Sequence, residues 1–268
     1  MKRIFCLITI IGYMFFILAL NILAGEWKVG GVIQIESINK LVDDLNFLTK
    51  TLGGEESGRE ILSDIGNILG SAELKGIARE RPVTICVLLP AVKKDSELNS
   101  VVPSVIVIIP LAQTDGADYL SAMEKMYGKP KQHGNVLQCR FGGGAVLFLK
   151  IDNGKGFLGF PADALEYIVS KGGPGKEIEN ASGNIQGSPK VCIDMGVCYP
   201  YIRATLSPFM NEFGEVMKSM PNAGGTEEML GFHIEQLLDI LSQLKWINVG
   251  IIVKPNYVEI VSRTDAIP

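Results

Sequence analysis

Two kinds of hydrophobic spacing alternate along this chain, and the switches between them mark out its elements. Residues 28–36 alternate weakly up to Ser37, after which Ile38, Leu41, Val42, Leu45, Leu48 and Leu52 recur at helical intervals until Gly53-Gly54. This predicts a strand, then an amphipathic helix capped by Ser37 and stopped by glycine. Ile61, Leu62, Ile65, Ile68 and Leu69 predict a second helix ending near Gly70. Val83 to Leu89 and Val105 to Leu111 are apolar throughout, as central strands covered on both faces would be. The charged stretch Lys93 to Asn99 between them reads as an exposed loop.

Asp115 is placed to cap a helix whose apolar positions are Tyr119, Leu120, Met123, Met126 and Tyr127, closed by Gly128 and Pro130. Segments 135–141, 145–151 and 156–160 then predict an antiparallel meander, turned at Gly142-Gly143-Gly144 and at Asn153-Gly154. Pro161 suits the first turn of a helix carrying Leu165, Ile168 and Val169 and stopping at Gly172-Gly173. From there to Pro189 glycine, proline and small polar residues dominate, so 175–189 reads as a linker between a first domain, 25–174, and a second, 190–268.

The second half opens on Val191, Ile193, Met195 and Val197 in strict alternation, which predicts a strand. A helical stretch over 199–220, interrupted at Ser207-Pro208, and a second one carrying Leu230, Ile234, Leu237, Leu241 and Leu244 follow. Residues 246–253 and 257–263 then predict a hairpin turned at Pro255-Asn256. Residues 28–111 and 190–263 thus share the order strand, helix, helix, strand, strand, which suggests an internal duplication. One local echo accompanies it: Gln113-Thr114-Asp115-Gly116 follows the first unit and Arg263-Thr264-Asp265-Ala266 the second. The second copy either ends short at Pro268 or is truncated there. The expected class is α+β, with mixed or antiparallel sheets packed against amphipathic helices.

The N-terminus obeys a different pattern. Lys2 and Arg3 precede an apolar run from Ile4 to Leu20, then Ile22-Leu23-Ala24, which reads as a signal peptide over residues 1–24, cut after Ala24. Left uncut, the same segment is about as long as the ~20 residues that span a bilayer, and it would be the chain's one contact with a membrane. Without Lys2 and Arg3 the basic residues fall from 25 to 23 against 29 acidic ones, a net charge of −6. An acidic chain with no basic cluster is a poor nucleic-acid binder.

Export gives the cysteines an oxidising compartment, yet Cys86, Cys139, Cys192 and Cys198 all fall in apolar, strand-like stretches. On one extended segment Cys192 and Cys198 would stand about 20 Å apart, too far to bridge, and buried free thiols are the expectation.

Candidate chemistry is sparse. Ser37-Ile38-Asn39-Lys40 has the Ser-x-x-Lys form of penicillin-binding enzymes, without the partner motifs Ser-Asp-Asn and Lys-Thr-Gly; helix capping accounts for Ser37. Gly172-Gly173-Pro174-Gly175-Lys176 has the composition of a phosphate loop, but Glu177 stands where Ser or Thr would hold magnesium. His133 and His233 are the only histidines, raw material too thin for a histidine-based triad or zinc site. Asp194 is the carboxylate to watch, on the face shared with Cys192 and Cys198, although a solvated sheet face explains it better. Met210, Met217, Met220 and Met229 accompany Phe209, Phe213 and Phe232, a soft apolar set that either packs a core or lines a groove.

The leader, the opening around Ser37-Ile38-Asn39-Lys40-Leu41, the strand ending Ile109-Pro110-Leu111, the helix with Tyr119-Leu120 and the meander 135–160 together resemble a group of exported bacterial proteins of unknown function common in planctomycete-type bacteria. The resemblance implies export and a family without known catalytic residues, so it assigns no site. The expectation is a non-enzymatic protein of the periplasm or cell envelope, working by binding a protein partner or by self-assembly, with no catalytic, cofactor-binding or metal-binding residues. A carrier of a hydrophobic small molecule is the alternative, and a hydrolase with an unrecognised carboxylate site ranks below it.

Overall fold

The computed structural model describes residues 26–51, 58–71, 73–91, 102–140, 145–183, 185–218, 235–254 and 257–267. Strand β1 (Trp27–Ile35) leads through Ser37 into α1 (Ile38–Thr51), and α2 (Gly58–Ile68) precedes β2 (Val83–Pro90) and β3 (Ser104–Pro110). Helix α3 (Ala117–Tyr127) is followed by β4 (Lys131–His133), β5 (Val136–Arg140), β6 (Val146–Asp152) and β7 (Lys155–Phe160). Helices α4 (Ala162–Lys171) and α5 (Lys176–Gly183) precede β8 (Lys190–Asp194) and the long α6 (Met195–Lys218). A helix at 235–242, here α7, then leads into β9 (Leu244–Lys254) and β10 (Tyr257–Ala266).

Local chemistry explains the boundaries. The Lys40 N–H donates to Ser37 Oγ at 3.0 Å, so Ser37 caps α1 as expected. Asp115 acts one residue early: its Oδ1 accepts from the Ala117 N–H at 3.2 Å, while Gly116 occupies the cap itself. Asn153 and Gly154, at φ 49° and 72°, make the tight turn joining β6 to β7.

All ten strands form one antiparallel sheet, an α+β architecture, in the order β10-β9-β8-β1-β2-β3-β7-β6-β5-β4. One face buries Trp27, Val32, Cys86, Leu88, Ile106 and Phe157 with Leu165, Ile168, Ile178 and Ala181 of α4 and α5. The other buries Ile109, Leu149 and Leu158 with Ile38, Val42, Ile61, Tyr119 and Met123 of α1 to α3. Neighbours such as Ile108 and Ile109, or Phe157 and Leu158, enter opposite cores. Continuous apolar runs therefore mark the middle of the sheet.

The antiparallel pair β1 and β8, with Val32 opposite Cys192, is the middle of the six strands from β10 to β3. Outward from it run β2 and β3 on one side, β9 and β10 on the other. The six strands β3-β2-β1-β8-β9-β10 therefore match one another in order about this pair, a two-fold arrangement of topology, and the two units share the element order the sequence suggests.

Several expectations change. The segment 175–189, expected as a linker, carries α5, whose Ile178 and Ala181 enter the core, and both halves of the chain build the same sheet. The strand expected through Val197 stops at Asp194, and α6 begins at Met195. A short apolar run cannot by its spacing distinguish strand from buried helix; here Met195 is buried on the helix instead. Of the two forms the interruption at Ser207-Pro208 allows, a kinked helix or two helices meeting at a serine cap, the second is not found: α6 runs through both residues as one helix. Residues 131–133 form the edge strand β4, in which His133 is exposed with its ring 5.3 Å from that of Phe148. The signal segment 1–24, the loop 93–99, and the turns at Gly142-Gly143-Gly144, Pro221 to Gly225 and Pro255-Asn256 lie outside the described residues. Among the described residues no helix is long and apolar enough to cross a membrane.

One polar side chain is buried on β9. Asn248 lies opposite Cys192, fully buried, with neither its amide nitrogen nor its amide oxygen hydrogen-bonded. An unpaired buried polar group costs about 1–3 kcal/mol. Asn248→Leu, which keeps the branching of the side chain and removes its polar atoms, is therefore expected to raise stability by about 1 kcal/mol in urea unfolding; an equal or lower stability there and in the smaller Asn248→Val would show that the amide is satisfied in solution.

Candidate functional site

A sheet of this kind has two edges, and the sequence treats them differently. β4 is three residues long, Lys131, Gln132 and His133, all exposed and preceded by Pro130. Short, polar, proline-flanked edges are how proteins prevent unwanted strand pairing. β10 is less guarded: it runs ten residues, its polar Glu259, Ser262, Arg263, Thr264 and Asp265 stand mostly in its second half, and its first half exposes Tyr257, Val258 and Ile260. It is paired with β9 along its whole length, from Tyr257 opposite Lys254 to Ala266 opposite Leu244, and its outer side pairs with no strand of the sheet.

The faces of β10 differ in character. Val258, Ile260, Ser262 and Thr264 share one face, opposite Val253, Ile251, Val249 and Ile247 of β9. On it Ile260 is 70% exposed and Val258 45%. Tyr257, Glu259, Val261, Arg263 and Asp265 share the other. There Lys254 Nζ lies 2.8 Å from both Glu259 Oε2 and Tyr257 Oη, and Arg263 Nε lies 3.2 Å from Asp265 Oδ1. The hydrogen bonds it donates to Glu259 and then to Tyr257 hold the Lys254 ammonium above the usual lysine range. This face borders a concavity of about 640 Å³ whose lining includes Ile185, Gln186, Lys254, Glu259 and Arg263. Gly250 on β9 allows the approach of this wall, because a Cβ there would collide with the Gln186 carbonyl.

The related unit shows what such an edge accepts. β3 holds the place of β10 in the first unit, and its outer side is taken by β7, antiparallel from Val105 opposite Phe160 to Pro110 opposite Lys155. Among the described residues no strand takes the equivalent side of β10.

The residues singled out in the sequence do not gather into a site. Asp194 closes β8 and its Oδ1 accepts from the Val197 N–H at 3.3 Å, so it caps α6. Burial raises its carboxyl pKa, backbone hydrogen bonds from Val197 and Gly196 lower it, Glu177 adds to the rise and Lys245 opposes it. Cys198, expected on the strand face of Cys192 and Asp194, sits on α6 instead, its Sγ 3.1 Å from the Gly30 carbonyl. All four cysteines of the described chain are free thiols. Burial pushes Cys86 and Cys198 up to about 12, and Cys139 and Cys192 up to about 11.

Ser37 is occupied as a cap. The Gly172-to-Lys176 segment closes α4 with Gly172 at φ 71° and also opens α5, so it both follows and precedes a helix. His233, Met220, Met229 and Phe232 lie outside the described residues, as do the side chains of Phe209, Met210, Phe213 and Met217. Among the described residues no three His, Cys, Asp or Glu side chains gather closely enough to hold a metal ion. Sequence reasoning placed the last strand but missed its open edge, because strand order is not written in periodicity.

Two outcomes follow for these residues. Asp194→Ala is expected to lose about 1 kcal/mol of stability with its cap, whereas Asp194→Asn, an equal cap, keeps it; equal losses in chemical unfolding would refute the capping role. For the thiols, the native protein at pH 8 is expected to resist a thiol reagent that titrates all four after unfolding. An ordinary thiol ionises near ~8.5, below the folded values. The stability held by the buried thiols is thus fully present below pH ~8.5 and declines as pH rises towards about 11 to 12. Melting temperatures across that window check the sign.

Comparison with protein-family models, curated proteins and solved structures finds no match to this chain.

Proposed function

We propose that this is an exported, non-enzymatic protein of the periplasm or cell envelope that works by binding or assembly, and that its binding element is the open edge of β10. The single observation that carries the reading is the contrast between the edges: three exposed polar residues at β4, and ten residues bearing exposed Tyr257, Val258 and Ile260 at β10. An edge strand of that length supplies a row of backbone donors and acceptors, with side chains on alternate positions to select the partner. Export rests on the leader-like segment 1–24. The carrier reading draws less support, since the concavity beside β10 sets the charged Lys254, Glu259 and Arg263 among the apolar Ile185, Ile252 and Val261.

The test uses an unrelated fluorescent peptide of alternating valine and threonine. It is expected to bind the protein, and Ile260→Lys is expected to weaken binding about ten-fold or more while stability stays within about 0.5 kcal/mol, as for an exposed substitution. Binding that is absent, or equal in the variant, would overturn strand addition at this edge.

A further inference from the structure

We infer that the strand added to β10 is β10 of a second copy, in the register that places Val261 on the two-fold axis. The inference rests on the reading of β10 as the binding edge and names its partner.

Geometry restricts the choices. For two copies to continue one sheet, the two-fold axis must stand normal to it, and opposed residues must then share a face. Only registers centred on a residue satisfy this. Centring on Ile260 sets Glu259 against Val261 and Arg263 against Tyr257, pairing neither charge. Centring on Ser262 sets Glu259 against Asp265, like charges directly opposed, which is destabilising. Centring on Val261 sets Glu259 against Arg263 of the second copy, and by symmetry Arg263 against Glu259. Opposed pairs of unlike charge stabilise antiparallel strands.

The existing contacts extend the match. Lys254 already touches Glu259, and Arg263 already touches Asp265. The Val261 register therefore creates two symmetric rows in which positive and negative groups alternate without interruption. On the opposite face, Ile260 lies across from Ser262 and diagonally beside Ile260 of the second copy. The most exposed large apolar side chain of the described chain thus meets its own counterpart across the axis. The β3 to β7 pairing shows the same antiparallel addition within one chain.

Sedimentation of the full exported protein across a concentration series tests the pairing. A monomer–dimer equilibrium is expected, with Glu259→Arg and Arg263→Glu each weakening it about ten-fold or more, and the double charge reversal restoring it to within about three-fold. A second readout is independent of charge: Val261→Cys is expected to crosslink across the axis under mild oxidation, and Ile260→Cys much less, because residue 260 faces Ser262. The native thiols give little background, Cys86, Cys139 and Cys192 being buried and Cys198 half-buried, with raised pKa values. A dimer in which the double reversal fails to restore association and Val261→Cys does not crosslink would overturn the register. A monomer at every concentration that still binds the valine–threonine peptide would overturn self-pairing and leave the edge reading standing. A monomer that binds no peptide would overturn both.

Discussion

The antiparallel pairing of β1 with β8 is the contact on which the rest of the architecture depends. It joins β1, which opens the described chain, to β8 far along it, through Gly31 to Gln34 and Lys190 to Ile193, and places Val32 and Cys192 side by side in one core. Without it there would be two sheets, each with an additional open edge. With it, a single sheet has α1 to α3 over one core and α4 and α5 over the other. Loop closure over so long a separation is entropically costly, and the buried apolar row Cys86, Val32 and Cys192 offsets it. The two-fold arrangement of β3-β2-β1-β8-β9-β10 radiates from this pair, and with it the question of what meets the outer strands.

Much of this was legible from residue patterns because local rules and tertiary packing agree. The Ser37 cap, the glycine stops and the continuous apolar runs of β2 and β3 are local signals that burial reinforces. So is the Asn153-Gly154 turn, where left-handed backbone is required at both positions. The failures fall where two local rules compete. Val191 to Val197 satisfies strand alternation, but Asp194 also offers a helix cap, and the cap prevails because Met195 can then turn into the core. The 175–189 segment looks like a linker by composition, yet Ile178 and Ala181 suffice to seat a short helix.

The candidate site was less legible than the fold, for a physical reason. Whether a strand is central or at an edge depends on partners distant in sequence. β10 reads like any hairpin strand, and only the order of the sheet exposes its outer side. The chemistry that sequence does record, a serine near a lysine or an aspartate in an apolar stretch, proved to be the chemistry of capping. Ser37 and Asp194 each accept from a backbone N–H three residues on. A capping side chain is already committed to orphan donors at a helix start, which weakens the case for reading either residue as a reactive group.

An exposed apolar edge is a liability unless something uses it, and that asymmetry gives the β10 argument its weight. Unwanted pairing can be blocked by one proline or one inward charge, a smaller change than building a partner, and β4 displays the blocked form in this same sheet. On β10 the charges are arranged otherwise: Glu259 and Arg263 flank Val261 at equal distances and with opposite sign. A strand whose charges served only to keep it soluble would not need that symmetry. One that pairs with its own copy does, since a two-fold axis turns each side chain's neighbour at +2 into its counterpart's neighbour at −2. The same two residues therefore favour one register and disfavour its slipped alternative, in which Glu259 would meet Asp265. Selection of one register against its neighbours is what separates a specific interface from an adhesive edge.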